Sequence, residues 1–144
     1  VESQSWIFWA MLSAFFAAAT GISAKMGVVA LDSSTATLFR TCVVLGLLIA
    51  IVTAKGSWES CAKIDFRSAI ILTFSGLATG LSWLCYFQAM KVGEASLVAS
   101  VDKLSVVMLA VIAFAFLGER LSSIQWFGIL AIAGGSVLVA VGGK

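Results

Sequence analysis

The sequence predicts an all-α integral membrane protein, a bundle of five transmembrane helices forming one domain over residues 1–144. Three observations carry this reading. First, 61% of the residues are hydrophobic, only 11% are charged, and the mean hydropathy is +1.10. A soluble domain carries about 25% charged residues, so this chain could not cover its own surface in water and needs lipid as a solvent. Second, the apolar residues gather in five segments at about 6–24, 35–54, 68–90, 95–117 and 124–141. Each is close to the roughly 20 residues that a helix needs to cross a 30 Å hydrocarbon core at 1.5 Å per residue. Third, the alternating strands of about ten residues that build a closed β-barrel, the other spanning solution, do not occur.

The segments have chemical boundaries. The first ends at Lys25; Glu2 precedes it where a secretory leader would carry a basic region, which argues against a signal peptide. Asp32, Ser33 and Ser34 supply capping oxygens ahead of the second segment, which contains Arg40. Residues 55–67 are the one sizeable loop. Gly93 and Glu94 separate the third segment from the fourth, which holds Asp102 and Lys103. Gly118-Glu119-Arg120 interrupts the apolar run before the fifth. Gly76/Gly80, Ala14/Ala18, Ala17/Gly21 and Ala131/Gly135 are small residues four apart, and are expected at helix–helix contacts, where small side chains let backbones approach. The chain has 0 prolines, where ordinary usage gives roughly seven, so one common device for kinking a helix is missing.

Charge sets the expected topology. Five crossings put the termini on opposite sides. Lys55, Lys63, Arg67 and Arg120 fall on the N-terminal side; Lys25, Lys91 and Lys144 fall on the other, with Arg40 just inside the membrane. Basic residues in short loops favour the cytoplasm, and this balance is nearly even. It points to insertion in both orientations and an antiparallel homodimer, against the alternative of one orientation set by the cluster in the long loop.

Charges inside the segments are the sharpest functional clue. Each costs at least about 2.5 to 3.5 kcal/mol near the bilayer centre on insertion scales, so such residues usually pair, face a bundle interior or line a wet path. Arg40, Asp102 and Lys103 can lie at similar depth, because the second and fourth helices start on the same side. Ser96, Ser100 and Lys103 follow one helical face, and Asp102 lies about 100° round from Lys103. In the third helix Gly76, Thr79, Gly80, Trp83, Tyr86, Phe87 and Met90 share a face. Aromatics beside fixed charges suit a solute with an apolar and a charged part. The candidate binding residues are therefore Arg40, Trp83, Tyr86, Ser100, Asp102 and Lys103. The plainer alternative keeps Arg40 snorkelling to the interface, Asp102 neutralising a neighbour, and Trp83 and Tyr86 as anchors or packing. Trp6, Trp9, Trp58 and Trp126 read as interface-belt residues, and Lys25, Glu94, Glu119 and Arg120 as solvated helix ends.

Other classes are disfavoured. There is no His, and Cys42, Cys61 and Cys85 form no CxxC pair, so neither a metal centre nor a disulfide framework is expected. Without Ser-His or Cys-His sets the chain is not read as an enzyme, and no cofactor is implied. A net charge of +2 without a basic patch indicates no nucleic-acid partner.

Phe116-Leu117-Gly118-Glu119-Arg120-Leu121-Ser122, followed by Gln125, Gly128 and Gly134, resembles the LGErls stretch and glycine-marked helix of EamA-type repeats in the drug/metabolite transporter superfamily. Ala24-Lys25, the spacing of Arg40 and the run from Tyr86 through Ser96 support the likeness, which covers nearly the whole chain. The family often has a proline near the start of its fourth helix, where this chain has Ser100, Val101 and Asp102. The resemblance implies the short, single-repeat form of a ten-helix inverted-repeat architecture, rebuilt by antiparallel dimerisation. It implies alternating-access secondary transport of a small metabolite or drug-like solute in a bacterial or archaeal cytoplasmic membrane. The expected partners are the solute, the bilayer and a second copy. Two mechanisms stay open: Asp102 exchanges a proton with solute, or Arg40 and Lys103 hold a carboxylate that Asp102 helps to orient. A non-transporting membrane partner that assembles with another protein is the alternative function.

Overall fold

The computed structural model describes residues 5–28 and 31–142; Glu2 and Lys144, which enter the charge argument, lie outside them. The described residues are helical, in the order α1 (Ser5–Val28), α2 (Ser33–Lys55), α3 (Trp58–Ala62), α4 (Phe66–Val92), α5 (Ala95–Asp102), α6 (Leu104–Ile112), a π-helical turn (Ala113–Leu117) and α7 (Ser123–Gly142). Five stretches are long and apolar enough to span a membrane: Trp6–Val28, Ser33–Lys55, Phe66–Val92, Ala95–Leu117 and Ser123–Gly142. The chain is an integral, multi-pass membrane protein of helical type. The short α3 lies within the polar loop that the sequence marks between the second and third spans.

The helix ends follow from local chemistry. Asp32 caps α2: its carboxylate accepts from the Ser34 and Thr35 amides at 3.0 and 3.4 Å. At the other end Gly56 adopts the left-handed conformation (φ 63°), and the amides of Gly56 and Ser57 donate to Thr53 and Val52 carbonyls. Asp65 accepts from the Ser68 amide at 3.2 Å as α4 begins. The Ser122 amide donates to Gln125 Oε1 at 2.7 Å and the Gln125 amide to Ser122 Oγ at 3.4 Å, the reciprocal pattern of a capping box that starts α7. Hydroxyls within the spans are satisfied locally. Thr37, Thr41, Thr73, Thr79, Ser100 and Ser136 each donate to the carbonyl four residues earlier, at 2.7–2.9 Å. Lipid offers these hydroxyls no other partner.

The fourth span is not one uniform helix. At Lys103 the backbone tightens: the Lys103 amide bonds the Ser100 carbonyl, and the Val106 amide bonds the Lys103 carbonyl, at 3.2 and 3.0 Å. Both bonds close over three residues, where an α-helix closes over four. After α6 the span widens into the π-helical turn, and Gly118 (φ 68°) stops it. The Glu119 amide then reaches back to the Ala113 carbonyl at 3.3 Å.

The chain divides into two compact units, Ser23–Lys91 and Val1–Ile22 with Val92–Lys144. In the first, the buried residues Ala24, Val28, Thr37, Phe87 and Met90 come from the end of α1, the start of α2 and the end of α4. In the second, α5 and α6 pack against α7, with Ala110, Ala113 and Ser136 buried and the rings of Phe114 and Trp126 edge-to-face at 6.5 Å. Of the small-residue pairs, Gly21 is buried, while three other glycines have open space beside them. A Cβ built on Gly76, Gly80 or Gly135 would meet no described atom of its own unit within 4 Å. Close backbone approach inside a unit is therefore not what these glycines provide.

Candidate functional site

In the Ser23–Lys91 unit, α2 and α4 run into the membrane from the same end in opposite chain directions. Counted from Ser33, Arg40 lies about 10 Å along α2; counted back from Val92, Phe87 and Trp83 lie about 8 and 13 Å along α4. The matched depth brings them together. The Arg40 Cζ lies 4.3 Å from the centroid of the Trp83 ring and 5.4 Å from that of Phe87. Phe87 and Tyr86 meet edge-to-face, with centroids 6.4 Å apart. Trp83 and Phe87 are four residues apart, so one face of α4 presents both rings to the guanidinium.

Magnitudes show what this contact leaves undone. Each cation–π contact contributes about 0.5 to 2 kcal/mol, depending on desolvation. A guanidinium at this depth costs at least about 2.5 to 3.5 kcal/mol. Two rings offset much of that, but they engage the charge without accepting its N–H groups. Among the described residues of the unit, the single ion pair is Lys63 with Glu59, at 3.8 Å. Among the described residues of the unit, no side chain or carbonyl accepts a hydrogen bond from the Arg40 guanidinium.

The rim of the same unit is cationic and stapled. Lys25 Nζ donates to the Met90 carbonyl at 2.8 Å. Lys91 Nζ donates to the Leu31 carbonyl at 3.2 Å. Met90 sits in the last turn of α4, where carbonyls lack intrahelical partners, and a cation there also meets the negative end of the helix dipole. Lys25, expected as a solvated helix end, is thus a cross-helix tie. Three cations (Lys25, Arg40 and Lys91) stand at this end against one carboxylate, that of Asp32. The Ser34 amide, then the Thr35 amide, hold the Asp32 carboxyl below the usual carboxylate range, and Lys91 adds a smaller pull in the same direction.

Ser100, Asp102 and Lys103 belong to the other unit. Ser100 Oγ donates to the Ser96 carbonyl at 2.8 Å, which keeps the serines on the one face expected of them. Asp102 ends α5, and Lys103 is the residue at which the span tightens. Both side chains are exposed, about 10 to 12 Å into the span as counted from Ala95. Asp102 is the one carboxylate within the five spans. Phe87 and Lys25 were absent from the expected site. The signal for Phe87 was its place on the Trp83 face; for Lys25 it was a cation in the last turn of an apolar span.

Comparison with known proteins agrees with this architecture. The EamA-like transporter family matches residues 4–141. A protein of Sinorhizobium sp described as an uncharacterized transporter in the cobO 3' region is 52% identical over 139 residues, which covers 96% of this chain and 99% of that protein. No solved structure matches. With the matched region covering nearly all five spans, the chain belongs to the EamA-like transporter family.

Proposed function

We propose that the chain is a secondary active transporter that moves a small metabolite or drug-like solute across a bacterial cytoplasmic membrane by alternating access, working as an antiparallel homodimer. The observation that carries this reading is the break in the fourth span. A mid-span tightening of this kind often marks a hinge. Here the break coincides with exposed Asp102 and Lys103. A charged pair facing lipid at that depth would cost several kcal/mol. A second copy and a hydrated route between the copies remove that cost.

Antiparallel pairing follows from the near-even distribution of basic residues, and an odd number of spans makes the two copies equivalent to an inverted repeat. The solute then binds near the midplane, as inverted-repeat transporters arrange it; the candidates in each copy are Arg40, Trp83 and Tyr86 in one unit and, separately, Ser100, Asp102 and Lys103 in the other. The near-complete match to a relative named as a transporter supports a transport role for a chain of this length. In this reading Asp102, the one carboxylate within the five spans, carries the coupling proton. The test is solute uptake into proteoliposomes under an imposed pH gradient, with both termini tagged to read their sidedness. Gradient-driven uptake by wild type, its loss in Asp102→Asn, and both orientations in the native membrane are the expected results. Undiminished gradient-driven uptake by Asp102→Asn refutes the proton role; a single fixed orientation refutes the antiparallel dimer.

A further inference from the structure

We infer that Arg40, stacked on Trp83 and Phe87, is the recognition point for the carboxylate of an organic anion whose flat apolar part lies against the aromatic face of α4. The inference rests on the transport reading above and names the solute class for that site. Three observations converge. The guanidinium carbon lies over two rings, at 4.3 and 5.4 Å from their centroids, and this places the charge before any solute arrives. Among the described residues of its own unit no carboxylate lies within ion-pair distance of it. The same end of the unit carries Lys25 and Lys91, both tied to backbone carbonyls, with Asp32 as the one opposing carboxylate there.

Each observation bears on the ligand. The rings hold the charge but offer no oxygen acceptor, and two parallel N–H groups of a guanidinium match the two oxygens of a carboxylate. Anchoring by the rings reduces the ordering that binding must otherwise supply. A rim of cations raises the local concentration of anions and disfavours cations. Trp83 and Tyr86, both half-buried, leave ring surface beside the fork for an apolar group. An organic cation would meet like charge at Arg40, and Asp32, the one carboxylate at this end of the unit, already accepts from the amides that open α2. A neutral solute would leave the guanidinium without a counter-charge inside the membrane.

The experiment uses three probes of one shape: 3-phenylpropionate, 3-phenylpropionamide and 3-phenylpropylamine. Binding to the purified full-length protein in lipid nanodiscs is measured by ligand-dependent thermal stabilisation, and transport by counterflow in proteoliposomes. The carboxylate is expected to stabilise the protein, while the amide and the amine do not. Arg40→Lys keeps the charge and loses the fork, so it should weaken 3-phenylpropionate binding by at least tenfold, or about 1.4 kcal/mol. Trp83→Leu removes the larger ring and should weaken binding by a similar factor. The melting behaviour of each variant without ligand reports whether it is folded, and Arg40→Lys serves if Arg40→Gln does not assemble. Equal or stronger binding of the amine, failure of all three probes, or unchanged carboxylate affinity in Arg40→Lys overturns the inference. If the carboxylate binds through Arg40 but shows no counterflow, the transport reading fails and the site stands. If other solutes are transported and 3-phenylpropionate neither binds nor competes, the transport reading stands and the site falls.

Discussion

Replacing Lys25 by methionine tests the tie between α1 and α4. Methionine keeps an unbranched apolar stem of similar length, so contacts along the chain are retained and the loss is confined to the ammonium. In the wild type that group donates to the Met90 carbonyl at 2.8 Å, and Met90 is fully buried at 0% exposure. The carbonyl belongs to the last turn of α4, so no amide within the helix can replace the lost donor. A hydrogen bond to a charged group contributes about 1.5 to 3 kcal/mol, and a buried acceptor left unsatisfied costs about 1 to 3 kcal/mol. Lys25 is only partly buried, and losing its desolvation returns some of this. The expected destabilisation is therefore about 1.5 to 2 kcal/mol, or roughly ten- to thirtyfold in the unfolding equilibrium. Reversible unfolding in mixed micelles, titrated with a denaturing detergent, measures it. Lys25→Arg, which can still donate to the carbonyl, should recover most of the loss. If Lys25→Met is as stable as wild type to within about 0.5 kcal/mol, the tie is not a stabilising contact and the argument from orphaned carbonyls fails.

Two further perturbations act at helix ends. Gly118→Ala should destabilise by about 1 to 2 kcal/mol in the same assay, because φ is 68° there and a Cβ would meet no atom within 4 Å; the cost is conformational rather than steric, so Gly118→Asn should cost less. Asp32 is held below its usual range by the Ser34 and Thr35 amides. Its folded value is depressed, so its contribution is present above the unfolded value of about 3.9 and is lost as pH falls through the folded value. The difference in melting temperature between wild type and Asp32→Asn, whose amide oxygen still caps but does not titrate, should shift against the wild type between pH 6 and pH 3; a difference that stays flat over that range refutes the capping account.

Much of the architecture was legible because lipid enforces simple rules. Five apolar stretches of spanning length can only be helices when no strand alternation is present, and that reading holds. The similar depth of Arg40 and the aromatic face of α4 was legible, since 1.5 Å per residue converts sequence position into depth; the contact of Arg40 with Trp83 and Phe87 was not. The small-residue pairs divide: Gly21 is buried, while Gly76, Gly80 and Gly135 meet no neighbour in their own unit. Gly76 and Gly80 carry the spacing of a contact motif, but glycine is common in membrane helices for several reasons, and spacing alone does not say which neighbour arrives. The break at Lys103 left no mark in the sequence either. Proline is the usual sign of an interrupted span, and here the helix tightens without one. A change from four-residue to three-residue closure alters two backbone bonds and asks little of the side chains.

The residues that most clearly carry the family likeness also show what that likeness can convey. Gly118 stops the fourth span because its backbone is left-handed, and Ser122 with Gln125 starts the fifth by exchanging amide hydrogen bonds. Together they make a corner that reverses the chain between two packed spans. A corner is indifferent to cargo: nothing in an αL glycine or a capping box distinguishes an anion from a cation. The family match therefore transmits the order and direction of the spans, and a transporter can keep it while changing what it carries. On the proposed transport function, solute choice belongs where charge meets aromatic surface at depth, at Arg40 with Trp83 and Phe87 in one unit, and where the fourth span tightens beside Asp102 and Lys103 in the other. Substitutions at the corner should consequently change how much folded protein there is, and substitutions at Arg40 should change which solute it binds.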